Sequence, residues 1–126
     1  MGNAPVRKIL VVDDDEFSLK LIGKLLTLAG YTASKAKDGA QALDLLSREA
    51  FALLITDVNM PRMGGLRLLE EVKKKYHIPA IVVTASDIDS DTQRRSYSLG
   101  AVRFIIKPVD QNELLSAVTE VLGKES

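Results

Sequence analysis

The sequence contains no cysteine. That excludes disulfides and thiolate metal centres and is compatible with a reducing compartment. It has no excess charge of either sign: Lys plus Arg and Asp plus Glu are equal at 17 each. The balance argues against a general basic surface for nucleic acid, although it says nothing of local patches. No apolar run is long enough to span a membrane, so no membrane partner is expected. No cleavable leader is apparent, because Lys8–Val12 is strand-like and too short for the apolar core of one. Met1-Gly2 lacks the Ser or Thr four residues later that myristoylation wants. Histidine is nearly absent as well. The single one, His77, precedes Ile78-Pro79 at a helix end and is assigned a solvated or capping role. The expectation is a soluble cytoplasmic domain.

What is present is a core. Hydrophobic residues make up 46% of the 126, and that length fits one domain, residues 1–126 with its core at about 8–122. Short apolar runs alternate with amphipathic segments. The runs are Lys8–Val12, the weaker and edge-like Tyr31–Ala36, Phe51–Thr56, Ala80–Thr84 and Val102–Ile106. Between them, helices are expected over Phe17–Leu28 (Phe17, Leu21, Ile22, Leu25 and Leu26 at helical spacing), Ala40–Arg48, Leu66–Lys75 and Asp87–Leu99. A last helix follows the cap Asp110 and ends at about Leu122. Gly30 and Gly100 are natural stops. Strands alternating with helices imply an α/β domain with a parallel sheet. The strands recur at an interval typical of solenoid repeats, but the units share no sequence pattern, so that reading is rejected.

The carboxyl ends of the strands carry the chemistry, as expected of an open α/β sheet. Asp13, Asp14 and Asp15 follow the first run, Asp57 follows the third, Thr84 closes the fourth and Lys107-Pro108 follows the fifth. Acids gathered at one edge repel each other unless a cation or a shared proton holds them. A hard cation such as Mg²⁺ takes carboxylate and carbonyl oxygens and keeps waters for a phosphate. A lysine and a hydroxyl supply donors to phosphate oxygens. These parts suit transfer of a phosphoryl group onto an aspartate. The plainer readings are a helix cap for the first acids, a turn residue for Asp57 and a surface lysine for Lys107. Capping is taken as the whole role of Asp15. It does not account for three acids in a row.

Four separated stretches, in order, resemble the receiver domain of two-component response regulators. They are Ile9-Leu10-Val11-Val12-Asp13-Asp14, Asp57-Val58-Asn59-Met60-Pro61 with Gly64-Gly65, Val82-Val83-Thr84-Ala85, and Gly100-Ala101 followed by Lys107-Pro108. The resemblance runs from about Lys8 to Leu122. It implies a single flavodoxin-like (βα)5 domain, with a five-stranded parallel sheet in the order 2-1-3-4-5 and helices on both faces. It also implies Asp57 as phosphoacceptor. Asp14 and Asp57 become direct ligands of Mg²⁺ (Mn²⁺ as a substitute), with Asp13 acting through metal-bound water and the Asn59 carbonyl completing the shell. Lys107 and Thr84 contact the phosphoryl group. Thr84 and Phe104 become the switch pair, Asn59 and Ser86 tune dephosphorylation, and the bond before Pro108 is expected cis. The implied partners are a histidine kinase or histidine phosphotransfer protein, and a downstream protein on the face formed by residues 87–122. No nucleic acid is expected to be contacted by the domain itself.

Other classes fit less well. A haloacid dehalogenase-like phosphatase would use Asp13 and Asp15, but Glu16-Phe17 replaces the usual following residues, the later paired acids are missing and Asp57 would have no task. A flavodoxin-like cofactor binder needs a first loop of phosphate donors, and Asp13 to Glu16 are all acids. A purely interacting receiver would not need the full acid, Thr and Lys set. Whether the domain stands alone or belongs to a larger regulator or hybrid kinase is left open, as are its cognate kinase and output.

Overall fold

The computed structural model describes residues 7–60, 63–85 and 88–123. The elements in chain order are β1 Lys8–Val12, α1 Glu16–Leu28, β2 Thr32–Ala36, α2 Gly39–Arg48, β3 Leu53–Thr56, α3 Gly65–Lys75, β4 Ala80–Thr84, α4 Ser90–Ser98, β5 Ala101–Ile106 and α5 Gln111–Leu122. The strands form one parallel sheet in the order β2-β1-β3-β4-β5.

Side chains alternate across a strand, so each central strand feeds two cores. Ile9, Val11, Leu53, Ile55, Ile81, Val83 and Ile105 pack with α1 and α5 on one face. Leu10, Val12, Leu54, Ala80 and Val82 pack with α2 and α3 on the other. This is why β1, β3 and β4 read as unbroken apolar runs. The edge strands do not: β2 buries only Ala36, and β5 leaves Val102 and Ile106 exposed.

Four of the five helices start at side-chain caps, and α3 starts at Gly64 without one. Asp15, Asp38, Asp89 and Asp110 accept from backbone amides in the first turns of α1, α2, α4 and α5. Gly30 and Gly100 follow α1 and α4 at φ +96° and +109°, a conformation glycine takes without strain.

Two expectations are corrected. Phe17 keeps the helical spacing yet is 73% exposed, because the buried stripe of α1 runs through Ser18, Leu19, Ile22, Leu25 and Leu26 and Phe17 lies off it. The fourth helix is shorter than expected, Ser90–Ser98, and Asp89 caps it through the Thr92 amide. The only buried side chain of α4 among the described residues is Ser96, whose hydroxyl donates to Thr92 O. No helix of the described residues is long and apolar enough to cross a membrane.

Candidate functional site

The register of the sheet builds the site. Val12 pairs with Thr56, so β1 and β3 end level and the next residue on each is an aspartate. Backbone pairing runs one step beyond the strands: Asp13 N donates to Ala36 O, and Asp57 N to Val12 O. On the other side Thr84 pairs with Ile106, and Lys107 N donates to Thr84 O at 2.9 Å. Asp13, Asp57, Thr84 and Lys107 thus share one edge.

Their side chains meet. Thr84 Oγ1 donates to Asp57 Oδ1 at 2.9 Å, and the Asn59 amide donates to the same oxygen at 2.9 Å. Lys107 Nζ lies 3.1 Å from Asp57 Oδ2 and 2.8 Å from Asp13 Oδ2. Asp13, Asp57 and Thr84 are buried, whereas Asp14 is exposed. Burial raises the pKa of Asp13 above the ordinary carboxylate value, and its bonds to Lys107 and the Asp15 amide offset only part of this. Burial alone would lower the pKa of Lys107. The hydrogen bonds and charges of Asp13 and Asp57 together outweigh it and hold the ammonium above its usual range.

One carboxylate oxygen from each of Asp13, Asp14 and Asp57 comes within 4.8 Å of the others. An all-oxygen set of this charge fits a hard divalent cation and offers nothing to a metal that wants nitrogen or sulfur. Three formal negative charges face one ammonium, so a divalent cation would balance the remainder. Asp15 does not join them. Its carboxylate accepts from the Phe17 amide at 3.3 Å and the Ser18 hydroxyl at 2.9 Å, which lowers its pKa. That capping commitment removes the Asp13 and Asp15 pairing that a phosphatase would require.

The remaining residues sit around this centre. Phe104 is half-buried and packs against Tyr97 of α4, ring centroids 5.2 Å apart. The Lys107-Pro108 bond is cis. Asn59 is exposed, and Ser86 and Pro61 lie outside the described residues. Beside Lys107 opens a cleft of about 340 Å³ bounded by Phe17, Leu21, Pro108 and Val109. Sequence reasoning missed Thr56. It is fully buried, and its hydroxyl donates to the Asp57 carbonyl at 2.9 Å. A strand-end Thr carries no local signal for that.

Comparison with known proteins agrees with this geometry. Residues 9–119 match the family model of the response regulator receiver domain. The transcriptional regulatory protein GlrR of Escherichia coli is 37% identical over 100% of the chain and 28% of its own length. CpxR of Escherichia coli is 35% identical over 94% of the chain and 50% of its own length. The chain therefore spans about a quarter to a half of these curated relatives. A CheY-like receiver domain protein from Methanospirillum hungatei superimposes with TM-score 0.87 at 31% identity, covering 94% of each chain. Chemotaxis protein CheY4 of Vibrio cholerae gives 0.86 at 28% identity, covering 93% of this chain and 99% of its own. A matched family model, relatives above 30% identity and a sheet edge with this set of acids, hydroxyl and ammonium converge: the chain belongs to the receiver domains of two-component response regulators.

Proposed function

We propose that the domain is a switch thrown by phosphorylation of Asp57. The observation that carries this is the treatment of that carboxylate. Thr84 Oγ1 and the Asn59 amide hold Oδ1, and Lys107 Nζ holds Oδ2. A carboxylate used only structurally would not need a hydroxyl from the end of β4, an amide from its own loop and an ammonium from beyond β5 aimed at it.

In this reading a histidine kinase or histidine phosphotransfer protein presents phosphohistidine at the sheet edge, in the cytoplasm. A carboxylate oxygen of Asp57 bonds to phosphorus while the phosphorus–nitrogen bond breaks, and the electron pair stays with the imidazole. Asp14 and Asp57 would hold Mg²⁺ or Mn²⁺, with Asp13 and the Asn59 carbonyl completing the oxygen set that receives it. When bound, the metal neutralises charge on the incoming phosphoryl group. Lys107 and the Thr84 hydroxyl donate to its oxygens. Water later returns Asp57 to the carboxylate, at a rate tuned by Asn59 and Ser86. Exposed Phe17 and the cleft beside Lys107 give the donor protein an apolar seat close to the acceptor.

The output runs to the 87–122 face. Thr84 ends β4, Phe104 lies on the neighbouring strand, and Tyr97 of α4 packs on Phe104. Phe104 has no hydroxyl, so packing alone links this path. Helix α4 buries a single side chain among the described residues, so shifting it costs little.

The test is incubation with acetyl phosphate and Mg²⁺ followed by intact-mass measurement. Wild type should gain one phosphoryl group and Asp57→Asn none at that site. An unlabelled wild type, beside a receiver that labels, would overturn the proposal.

A further inference from the structure

The main-chain carbonyl of Asp57 is held from two sides, and neither contact belongs to the set that touches the phosphoryl group. On one side the Thr56 hydroxyl donates to it at 2.9 Å from a fully buried position. On the other lies Gly65, the first residue of α3. A Cβ there would stand 2.2 Å from the Asp57 carbonyl oxygen, 2.5 Å from Val58 Cα and 3.0 Å from the Asp57 carbonyl carbon. Gly65 N also donates to Val58 O at 3.2 Å.

Gly65 is not needed for its backbone torsion, since the positive-φ glycines among the described residues are Gly30, Gly100 and Gly123. It is needed for space. The adjacent Gly64 is different. Its Cβ would meet only Val58 O, at an ordinary 3.7 Å. The pair therefore contains its own control: one glycine is pressed against the acceptor backbone and its neighbour is free of it.

We infer that Thr56 and Gly65 are positioning residues that fix the Asp57 carbonyl and, with it, the 57–59 backbone that sets the acceptor carboxylate and the metal side of the site. The inference rests on the phosphoacceptor reading of Asp57. The link is short. The Asn59 amide bonds Asp57 Oδ1, so a shift of this backbone moves the carboxylate and one of its donors together. A methyl group at position 65 must displace the Asp57 carbonyl by roughly 1 Å to reach ordinary contact, and a misplacement of that size costs on the order of 100-fold in rate. Removing the Thr56 hydroxyl loses one hydrogen bond, which shifts the equilibrium between the held and released carbonyl by about tenfold, and uptake through the held form should fall by a similar factor.

Wild type, Gly65→Ala, Gly64→Ala, Thr56→Val and Thr56→Ser are compared in two measurements. One is the rate of phosphoryl uptake from acetyl phosphate at saturating Mg²⁺. The other is Mg²⁺ titration without donor, read from the Asp57 and Asn59 amide resonances. Gly65→Ala should slow uptake by roughly 100-fold and Thr56→Val by about tenfold. Both should weaken Mg²⁺ binding. Gly64→Ala, and Thr56→Ser with its retained hydroxyl, should stay within about twofold of wild type. A general loss of stability would not separate Val from Ser in this way. Wild-type rates and Mg²⁺ affinity in Thr56→Val, or equal losses in Thr56→Val and Thr56→Ser, overturn the inference. This holds even if Gly65→Ala fails to fold. A wild type that takes up no phosphoryl group removes the parent reading instead.

Discussion

Lys107 is the counter-ion of the acidic edge, and replacing it with Met keeps the stem while deleting the charge. Two contacts are lost, 2.8 Å to Asp13 and 3.1 Å to Asp57. At an effective dielectric constant of ~20, each attraction amounts to roughly 5–6 kcal/mol, most of it offset by the desolvation of the groups involved. Removing one partner from a buried pair costs roughly 3–5 kcal/mol. The Lys107 side chain is 22% exposed, so the lower end applies, about 3 kcal/mol. For a domain of this size that lowers Tm on the order of 10 °C. Mg²⁺ should act in the opposite sense. With the ammonium gone, the cation no longer competes for Asp13 and Asp57, and it stabilises Lys107→Met more than wild type through tighter binding to the folded state. The assay is urea unfolding followed by circular dichroism, in EDTA and then in MgCl₂. A Lys107→Met midpoint equal to wild type in EDTA refutes the charge argument. So does Mg²⁺ stabilising wild type at least as strongly.

Leu54→Ala, at a fully buried position in the middle of the sheet, should cost about 3 kcal/mol in urea unfolding. Phe17→Ser should change stability by less than about 0.5 kcal/mol and leave acetyl phosphate labelling intact, while slowing transfer from a phosphohistidine protein. Equal rates from both donors would show that Phe17 is not a seat. The Thr92 amide holds the pKa of Asp89 below the ordinary aspartate range. A depressed folded-state pKa gives stability that is present above the ordinary aspartate pKa and lost as pH falls through the lower folded value. Asp89→Asn keeps a capping oxygen but cannot titrate, so its stability should fall less steeply with acid over that window, measured by urea midpoints at successive pH values.

The central strands were legible because burial on both faces writes the same apolar run into β1, β3 and β4. Phe51 was misplaced for the same reason. It is buried and borders β3, but it packs into the core without joining the sheet. Periodicity marked α1 as a helix, yet Phe17 fits the spacing while the stripe that is buried runs through Ser18, Leu19, Ile22, Leu25 and Leu26. At α4 both Asp87 and Asp89 are good capping residues, and only the bond to Thr92 distinguishes them. The convergence of Asp13, Asp57, Thr84 and Lys107 followed from their places after strands. The grip on the Asp57 carbonyl did not, because Thr56 lies one residue before a motif and acts through a backbone atom that no motif records.

The site closes late. Lys107 lies 50 residues beyond Asp57 and approaches it only when β5 completes the sheet. A chain growing from its amino end exposes all its clustered acids long before their ammonium exists. The pairing of acids and ammonium is therefore not assembled until synthesis has passed residue 107. A complete set of charges at the site is, in this chain, a report that the sheet has been finished.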